Sequence, residues 1–355
     1  MKAAFRVDSS VSIGSGHMMR CLVLADALRR AGGRSTFVCR DLPGNLAGVA
    51  RGAGHEVMLL DPAAGNDEFY SGHDSKQTLA LLAASRALDW VVVDHYRIDE
   101  HWERVVRKSA RFVLAVDDLA DRKHACDVLL DPGYYEAPAR RYQDLVPSDC
   151  VLLQGPRYAL LRPEFVEARQ RARPRDGNVR RVLLFFGGSD PTNQTALALE
   201  GLRHALRGEV DIDVVIGCSN PHASEVSRLC QSMPGARLLV QTPDMAALME
   251  AADLSLGAGG VAAWERCAVR LPSIVTVVAP NQMESMRQLA ARGSIWLAGS
   301  HAEVTSDTYA GLVESALRSP AALRLLSERA GEVMQGCELG VGSCVATMRR
   351  KVTGD

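Results

Sequence analysis

Short apolar runs alternate with helical patterns from one end of the chain to the other. In the first half, residues 3–6, 36–39, 57–60, 90–93, 112–116 and 128–130 predict strands. In the second half, residues 182–186, 213–216, 237–240, 254–256 and 273–277 do so. Most of these runs are near-continuous in Val, Ile and Leu, as expected of strands covered on both faces in parallel sheets. The stretches between them are amphipathic. Across residues 17–30, Met18, Cys21, Leu22, Ala25 and Leu28 fall at i, i+3, i+4, i+7 and i+10, with Arg20, Asp26, Arg29 and Arg30 elsewhere on the wheel. Gly32 and Gly33 then supply a helix stop. The whole reads as β-α-β alternation repeated in two halves, an α/β architecture with two doubly wound, Rossmann-like domains.

The join is a change of composition. EARQRARPRDGNVRR, residues 167–181, is charged, contains Pro174 and Gly177, and reads as a helix end followed by a linker. This predicts an N-terminal domain over 1–165, a linker over 166–180 and a second domain over 181–320. Residues 321–355 read as a C-terminal helical segment.

A length of 355 residues is consistent with two domains at about 150 residues each. Hydrophobic residues make up 47% and charged residues 23%, which excludes a largely disordered chain. With 41 Lys and Arg against 42 Asp and Glu, the net charge of −1 exerts no global pull toward nucleic acid. No apolar run approaches the ~20 residues of a membrane span, so no stable membrane insertion is expected. Arg6 and Asp8 stand where a secretory apolar stretch would begin, and the nine cysteines are scattered without a C-x-x-C pair. Both features suggest a cytoplasmic protein with cysteines used as core filler.

Ligands of open α/β sheets bind beyond the carboxyl ends of the strands. Five polar clusters lie there. In the first, SIGSGHMMR, Gly14 and Gly16 flank Ser15 and His17 opens a helix. Glycines permit close backbone approach, the helix N-terminus suits an anion, and His17 is poised as a general base or is simply satisfied by nearby backbone. The second, Asp94-His95-Tyr96, either lines a binding edge or caps a helix. The third, Asp117-Asp118, fits a turn cap better than a metal site, because further ligands are not in view. The fourth, Gly187-Gly188-Ser189-Asp190, precedes Asn193 and a helix, a phosphate-cradle pattern without the Lys of a P-loop. Asp190 doubles as a helix cap. The fifth is the Gly257-Ala258-Gly259-Gly260 turn, with Glu265 following in the helix, either as a ribose ligand or as a surface carboxylate. Asn281 and Gln282 follow the strand SIVTV. Two such halves imply a central cleft that takes a nucleotide-linked ligand.

Seven stretches in order carry a more specific resemblance. They are FRVDSSVSIGSGHMMRCLVLADAL, VVVDHYRIDEHWE, DDLADRKHACDVLLD, GPRYALLRPEF, FFGGSDPTNQT, LGAGGVAAWERC and NQMES. Together they resemble the UDP-sugar hydrolases of pseudaminic acid biosynthesis, with relatives associated with spore-coat polysaccharide. The resemblance implies a GT-B type fold of two Rossmann-like domains facing a central cleft. It implies hydrolysis of a UDP-linked 2,4-diacetamido-2,4,6-trideoxy sugar by an inverting attack of water, without metal or other cofactor. His17 is then the general base, with Tyr96 in the same catalytic site. Arg6, Gly14, Gly16, Arg20 and Asp94 are implied as substrate contacts in the first half. Gly187, Gly188, Ser189, Asp190 and Asn193 would hold the diphosphate, and Glu265 the ribose. Gly259, Gly260, Asn281 and Gln282 would complete the contacts. The expected partners are the UDP-sugar and water, with the chain a monomer.

Two departures bear on the sugar. Pro132-Gly133-Tyr134 stands where the family has a Gln- or Asn-containing stretch, and Ala262-Ala263 stands where hydroxyl residues are common. Two other functions fit the same organisation. A GT-B glycosyltransferase would need an acceptor site, for which Leu42, Leu46 and Val49 are too dispersed to form a clear apolar patch. A silent nucleotide-sugar-binding protein would have little use for His17 and Tyr96.

Overall fold

The apolar runs become strands, and every ladder between them is parallel. The computed structural model describes residues 1–62, 72–83, 88–206 and 209–354. It separates into two units, Met1–Leu160 with Leu339–Asp355, and Leu161–Glu338.

Unit 1 begins with β1 (Lys2–Val7), α1 (Gly16–Arg30), β2 (Arg34–Arg40), α2 (Ala47–Gly52) and β3 (Glu56–Leu60). It continues with α3 (His73–Leu82), β4 (Leu88–Asp94), α4 (Glu100–Val106) and β5 (Ala110–Val116). Then come β6 (Val128–Asp131), α5 (Pro138–Arg141) and β7 (Val151–Gln154). The sheet order is β3-β2-β1-β4-β5-β6-β7. The two-residue period of a strand sorts its side chains onto two faces. Phe5, Phe37, Trp90, Val92 and Leu114 pack with Met18, Cys21, Leu24 and Leu28 of α1. Ala4, Val38, Val91, Val93 and Val113 face the opposite way, against Trp102, Val106 and Tyr142.

Unit 2 contains α6 (Pro163–Arg171), β8 (Arg181–Phe185), α7 (Gln194–Ala205), β9 (Asp211–Ile216), α8 (Ala223–Gln231) and β10 (Ala236–Val240). These are followed by α9 (Met245–Ala251), β11 (Leu254–Ala258), α10 (Val261–Ala268), β12 (Ser273–Val277) and α11 (Met283–Ala291). The unit ends with β13 (Trp296–Ser300), α12 (Ser306–Arg318) and α13 (Pro320–Val333). Its sheet order is β10-β9-β8-β11-β12-β13. The chain then returns to unit 1 as α14 (Gly340–Thr353).

The boundaries differ from the expected ones. The division falls after Leu160, and the expected linker at 166–180 begins as α6, a helix of unit 2. Phe165, Ala168 and Ala172 are buried at i, i+3 and i+7, a narrow apolar face among many charges. Arg175 then fastens the following segment, donating from Nε to the Ala252 carbonyl (2.9 Å) and from Nη2 to those of Met249 (3.0 Å) and Glu250 (2.9 Å). The expected single segment 321–355 is divided as well. Leu323 and Leu326 join the core of unit 2, while Cys344, Val345 and Met348 join that of unit 1. No helix among the described residues is long and apolar enough to cross a membrane.

Candidate functional site

In both sheets the strand order reverses beside the first strand of the unit, between β1 and β4 and between β8 and β11. This reversal opens a crevice at the carboxyl ends of the strands. In unit 1 it receives the loop before α1 and the end of β4. His17 and Asp94, 77 positions apart, meet there, with Nδ1 of His17 2.6 Å from Oδ1 of Asp94. Arg20, one helical turn after His17, donates to the same carboxylate from Nε (2.6 Å) and Nη2 (2.7 Å). Burial alone would push Asp94 up, but the Arg20 charge and then His17 outweigh it and hold the carboxyl well below the usual range. Asp94 is therefore a fixed anion. With Nδ1 committed to it, Nε2 is the His17 atom with no partner among the described residues. The Tyr96 ring meets the His17 ring edge-on, with centroids 4.7 Å apart.

Asp118 completes the group. It accepts from Arg20 Nη1 at 3.2 Å and takes the Tyr96 hydroxyl as a hydrogen-bond donor. Burial, then the Asp118 charge, pushes Tyr96 far above its ordinary value, so its hydroxyl stays protonated. The paired carboxylates thus divide. Asp117 is structural, bonded to the Ala120 N–H (2.8 Å) and paired with Arg122 (2.9 Å), whereas Asp118 belongs to the site. Gly14, at φ +83°, closes the preceding loop by donating to the Ser10 carbonyl at 2.8 Å. Gly16 is the exposed first residue of α1.

Two expected contacts in this unit require correction. Arg6 is 1% exposed and consumed by Asp8 and Asp74, with both closest ion-pair distances 2.6 Å. Arg40 (2.8 Å) and the Trp102 indole N–H (2.8 Å) share Asp74, so Arg6 is part of a buried charge network and not a ligand contact. Arg20 is likewise buried and bidentate on Asp94; it positions that carboxylate instead of facing a ligand.

In unit 2 the turn after β8 carries Gly187 (φ +98°), Gly188 and Ser189, all half-buried. Asp190 corrects the expectation of a diphosphate contact. It is 2% exposed and its oxygens accept from the N–H groups of Gln194 (3.0 Å) and Thr195 (2.9 Å) and the Thr195 hydroxyl (2.7 Å). It is the anionic cap of α7. Asn193 donates to Glu225 at 2.8 Å, leaving its buried Oδ1 without a partner. After β11, Gly260 has φ +76°, and a Cβ on Gly259 would lie 2.8 Å from Oε1 of Gln282. Gln282 packs against the glycine turn and accepts from the Val278 N–H at 3.1 Å. It braces the turn from a 3-10 turn that also contains the half-buried Asn281.

Glu265 is buried in α10, and its Oε1 accepts from Arg162 at 3.0 Å. Burial pushes the carboxyl up, and the Arg162 charge opposes the shift. The ribose candidate therefore carries a cation that the sequence reading did not pair with it. Beside it, Arg266 is fully buried, and burial pulls it down to about 10. Among the described residues no group of three or more His, Cys, Asp or Glu is arranged to hold a metal ion.

No protein-family model matches the chain. Among curated proteins, the UDP-2,4-diacetamido-2,4,6-trideoxy-beta-L-altropyranose hydrolase of Campylobacter jejuni is 28% identical over 250 residues, covering 70% of this chain and 81% of that protein. The chain is similar to that hydrolase. Spore coat polysaccharide biosynthesis protein SpsG of Bacillus subtilis is 23% identical over 297 residues, covering 83% of this chain and 82% of that one. The expected resemblance to the hydrolase and its spore-coat relatives is thus found. The solved structure of Acinetobacter baumannii MurG aligns with a TM-score of 0.63 at 15% identity, over 98% of this chain and 99% of that one. The fold is the GT-B type, with two Rossmann-like domains.

Proposed function

We propose that the chain hydrolyses a UDP-linked 2,4-diacetamido-2,4,6-trideoxy sugar at its anomeric carbon, in pseudaminic acid biosynthesis. One observation carries the reading: the His17–Asp94 pair, 2.6 Å apart at the carboxyl end of the unit 1 sheet. Similarity to the Campylobacter hydrolase supports the substrate class. In the proposed step, Nε2 of His17 takes a proton from water as the water oxygen bonds to the anomeric carbon. The bond from that carbon to the phosphate oxygen breaks, and UDP leaves with the electron pair. Attack opposite the leaving group inverts the anomeric centre. Asp94 fixes the imidazole tautomer and stabilises the imidazolium as it forms. A base so placed is worth about 10²–10⁴ in rate. The Gly187–Ser189 turn of unit 2, with Asn193, is assigned to the diphosphate and Glu265 to the ribose. Helix N-termini suit the charge that grows on UDP.

The test is incubation with UDP-2,4-diacetamido-2,4,6-trideoxy-β-L-altropyranose in water with EDTA, following the anomeric proton by NMR. Release of UDP and free sugar is expected, with the inverted anomer appearing first. A substrate that stays intact until an alcohol acceptor is supplied would make the chain a transferase. Saturation-transfer contacts to uridine with no turnover under either condition would make it a binding protein.

A further inference from the structure

Unit 2 buries a charge that its own side chains do not neutralise. Arg266, in α10, has no exposed surface. Its Nη2 donates to the Ala258 carbonyl at the end of β11, while Nε and Nη1 have no hydrogen-bond partner. The titratable groups beside it are Cys267 and Glu265. Cys267 is a buried thiol that burial keeps protonated, and the Glu265 carboxylate is committed to Arg162. A buried guanidinium with two open donor atoms is costly unless something nearby completes it.

Its position indicates what that is. Nη1 would lie 2.6 Å from a Cβ on Gly257, so the guanidinium sits directly against the end of β11, where the Phe185 carbonyl also leaves room only for glycine. The chain then turns through Gly259 and Gly260 into the N-terminus of α10, whose unpaired N–H groups and dipole are also positive. Two independent sources of positive potential converge on one glycine turn at the switch point of the sheet. Through a low-dielectric interior such a charge acts without direct contact.

We propose that Arg266 is the buried counter-charge of an anion site at the 257–260 turn, and that the nucleotide diphosphate completes the pairing that the chain leaves open. This rests on the UDP-sugar reading above and adds to it a residue that senses the phosphates but does not touch the reacting carbon.

UDP and uridine differ by the diphosphate alone, so the ratio of their affinities isolates the effect. Calorimetric titration of the full chain is compared with Arg266→Met and Arg266→Lys. Arg266→Met should weaken UDP binding about tenfold or more and leave uridine within about twofold. Arg266→Lys should keep UDP binding near wild type at pH 6.5. It should lose UDP affinity relative to wild type by pH 8.5, because a buried lysine sheds its proton where an arginine does not. Equal losses for UDP and uridine in Arg266→Met would reduce Arg266 to packing and overturn the proposal. If Arg266→Met does not fold by circular dichroism, the lysine variant decides, and a UDP affinity that tracks wild type from pH 6.5 to 8.5 overturns it. Failure of the wild-type chain to bind either UDP or uridine would instead reject the UDP-sugar reading.

Discussion

Replacing Asp94 by Asn tests the proposed chemistry most directly. The carboxylate accepts four bonds from three partners, one at 2.6 Å from His17, two at 2.6 and 2.7 Å from Arg20 and a weak one at 3.5 Å from the Cys21 thiol. An amide of the same shape offers one oxygen and one NH₂. Arg20 reaches both oxygens, so either orientation sets the NH₂ against one of its donors, Nη2 or Nε. An NH₂ in the Oδ1 position also faces His17. Nδ1 must then accept, which moves the imidazole proton to Nε2, the atom that has to receive one from water. Forcing the wrong tautomer in a comparable His–carboxylate pair costs about 10⁴ in kcat. Asp94→Asn should therefore lower kcat by about 10³–10⁴, equivalent to about 4–5.5 kcal/mol in the barrier. UDP affinity should stay within about threefold, because the affected groups all belong to unit 1 and a base acts mainly in the transition state. The assay is single-turnover release of UDP with a calorimetric Kd in parallel, on protein shown to be folded. A folded Asp94→Asn variant with kcat within about tenfold of wild type would refute the general-base argument.

Glu265→Ala should weaken UDP binding by about 10- to 100-fold, the loss of a charge-assisted hydrogen bond; an unchanged Kd would reject the ribose assignment. Gly259→Ala sets a methyl 2.8 Å from Oε1 of Gln282 and 3.1 Å from Cγ of Met286. It should cost unit 2 about 1–3 kcal/mol, read as a lower melting midpoint, with partial recovery in Gly259→Ala/Gln282→Ala. Asp8, Asp74 and Asp94 are buried carboxylates, and burial is outweighed in each by a paired arginine that holds the group low. Their contribution is complete above the unfolded value of about 3.9 and is lost as pH falls through the lower folded values. Unit 1 should accordingly weaken steeply below about pH 4, and Asp74→Asn should flatten the acid limb by up to ~1.4 kcal/mol per pH unit.

The fold was legible because its strands are covered on both faces and read as unbroken apolar runs. The two strands not foreseen, β7 and β13, break that rule. β7 is only four residues, and β13 carries Gly299 among half-exposed positions, so neither stands out from its flanks. α6 was obscured because an apolar face of Phe165, Ala168 and Ala172 is diluted by arginines. His17 was legible from its place at the first strand-to-helix turn. Its partners were less so, because the Arg20–Asp118 pair spans 98 positions and leaves no local pattern. Arg6 was assigned to the ligand through the family resemblance. Strand alternation held the better signal, since Arg6 shares a face with buried Ala4, and a charge inside a doubly covered strand must be paired within the protein.

Hydrolysis and glycosyl transfer make the same first demand on such a site, a base that removes a proton from an incoming hydroxyl. In the proposed reading the His17–Asp94 pair would meet that demand for water and for an alcohol alike, and a fold alone does not decide between the two chemistries. Discrimination therefore belongs to the groups around Nε2. Tyr96 is held by Asp118, and Asp118 by Arg20, so the aromatic wall beside His17 is fixed by the same ion network that fixes the imidazole. That coupling has a measurable consequence. Asp118→Asn should loosen Tyr96 while leaving the His17–Asp94 contact in place. For a site that selects water by excluding larger nucleophiles, it should raise the share of methyl glycoside formed in dilute methanol more than it lowers total UDP release. A product ratio that stays at the wild-type value while both rates fall together would instead place Asp118 with the base, as a second support for the imidazolium.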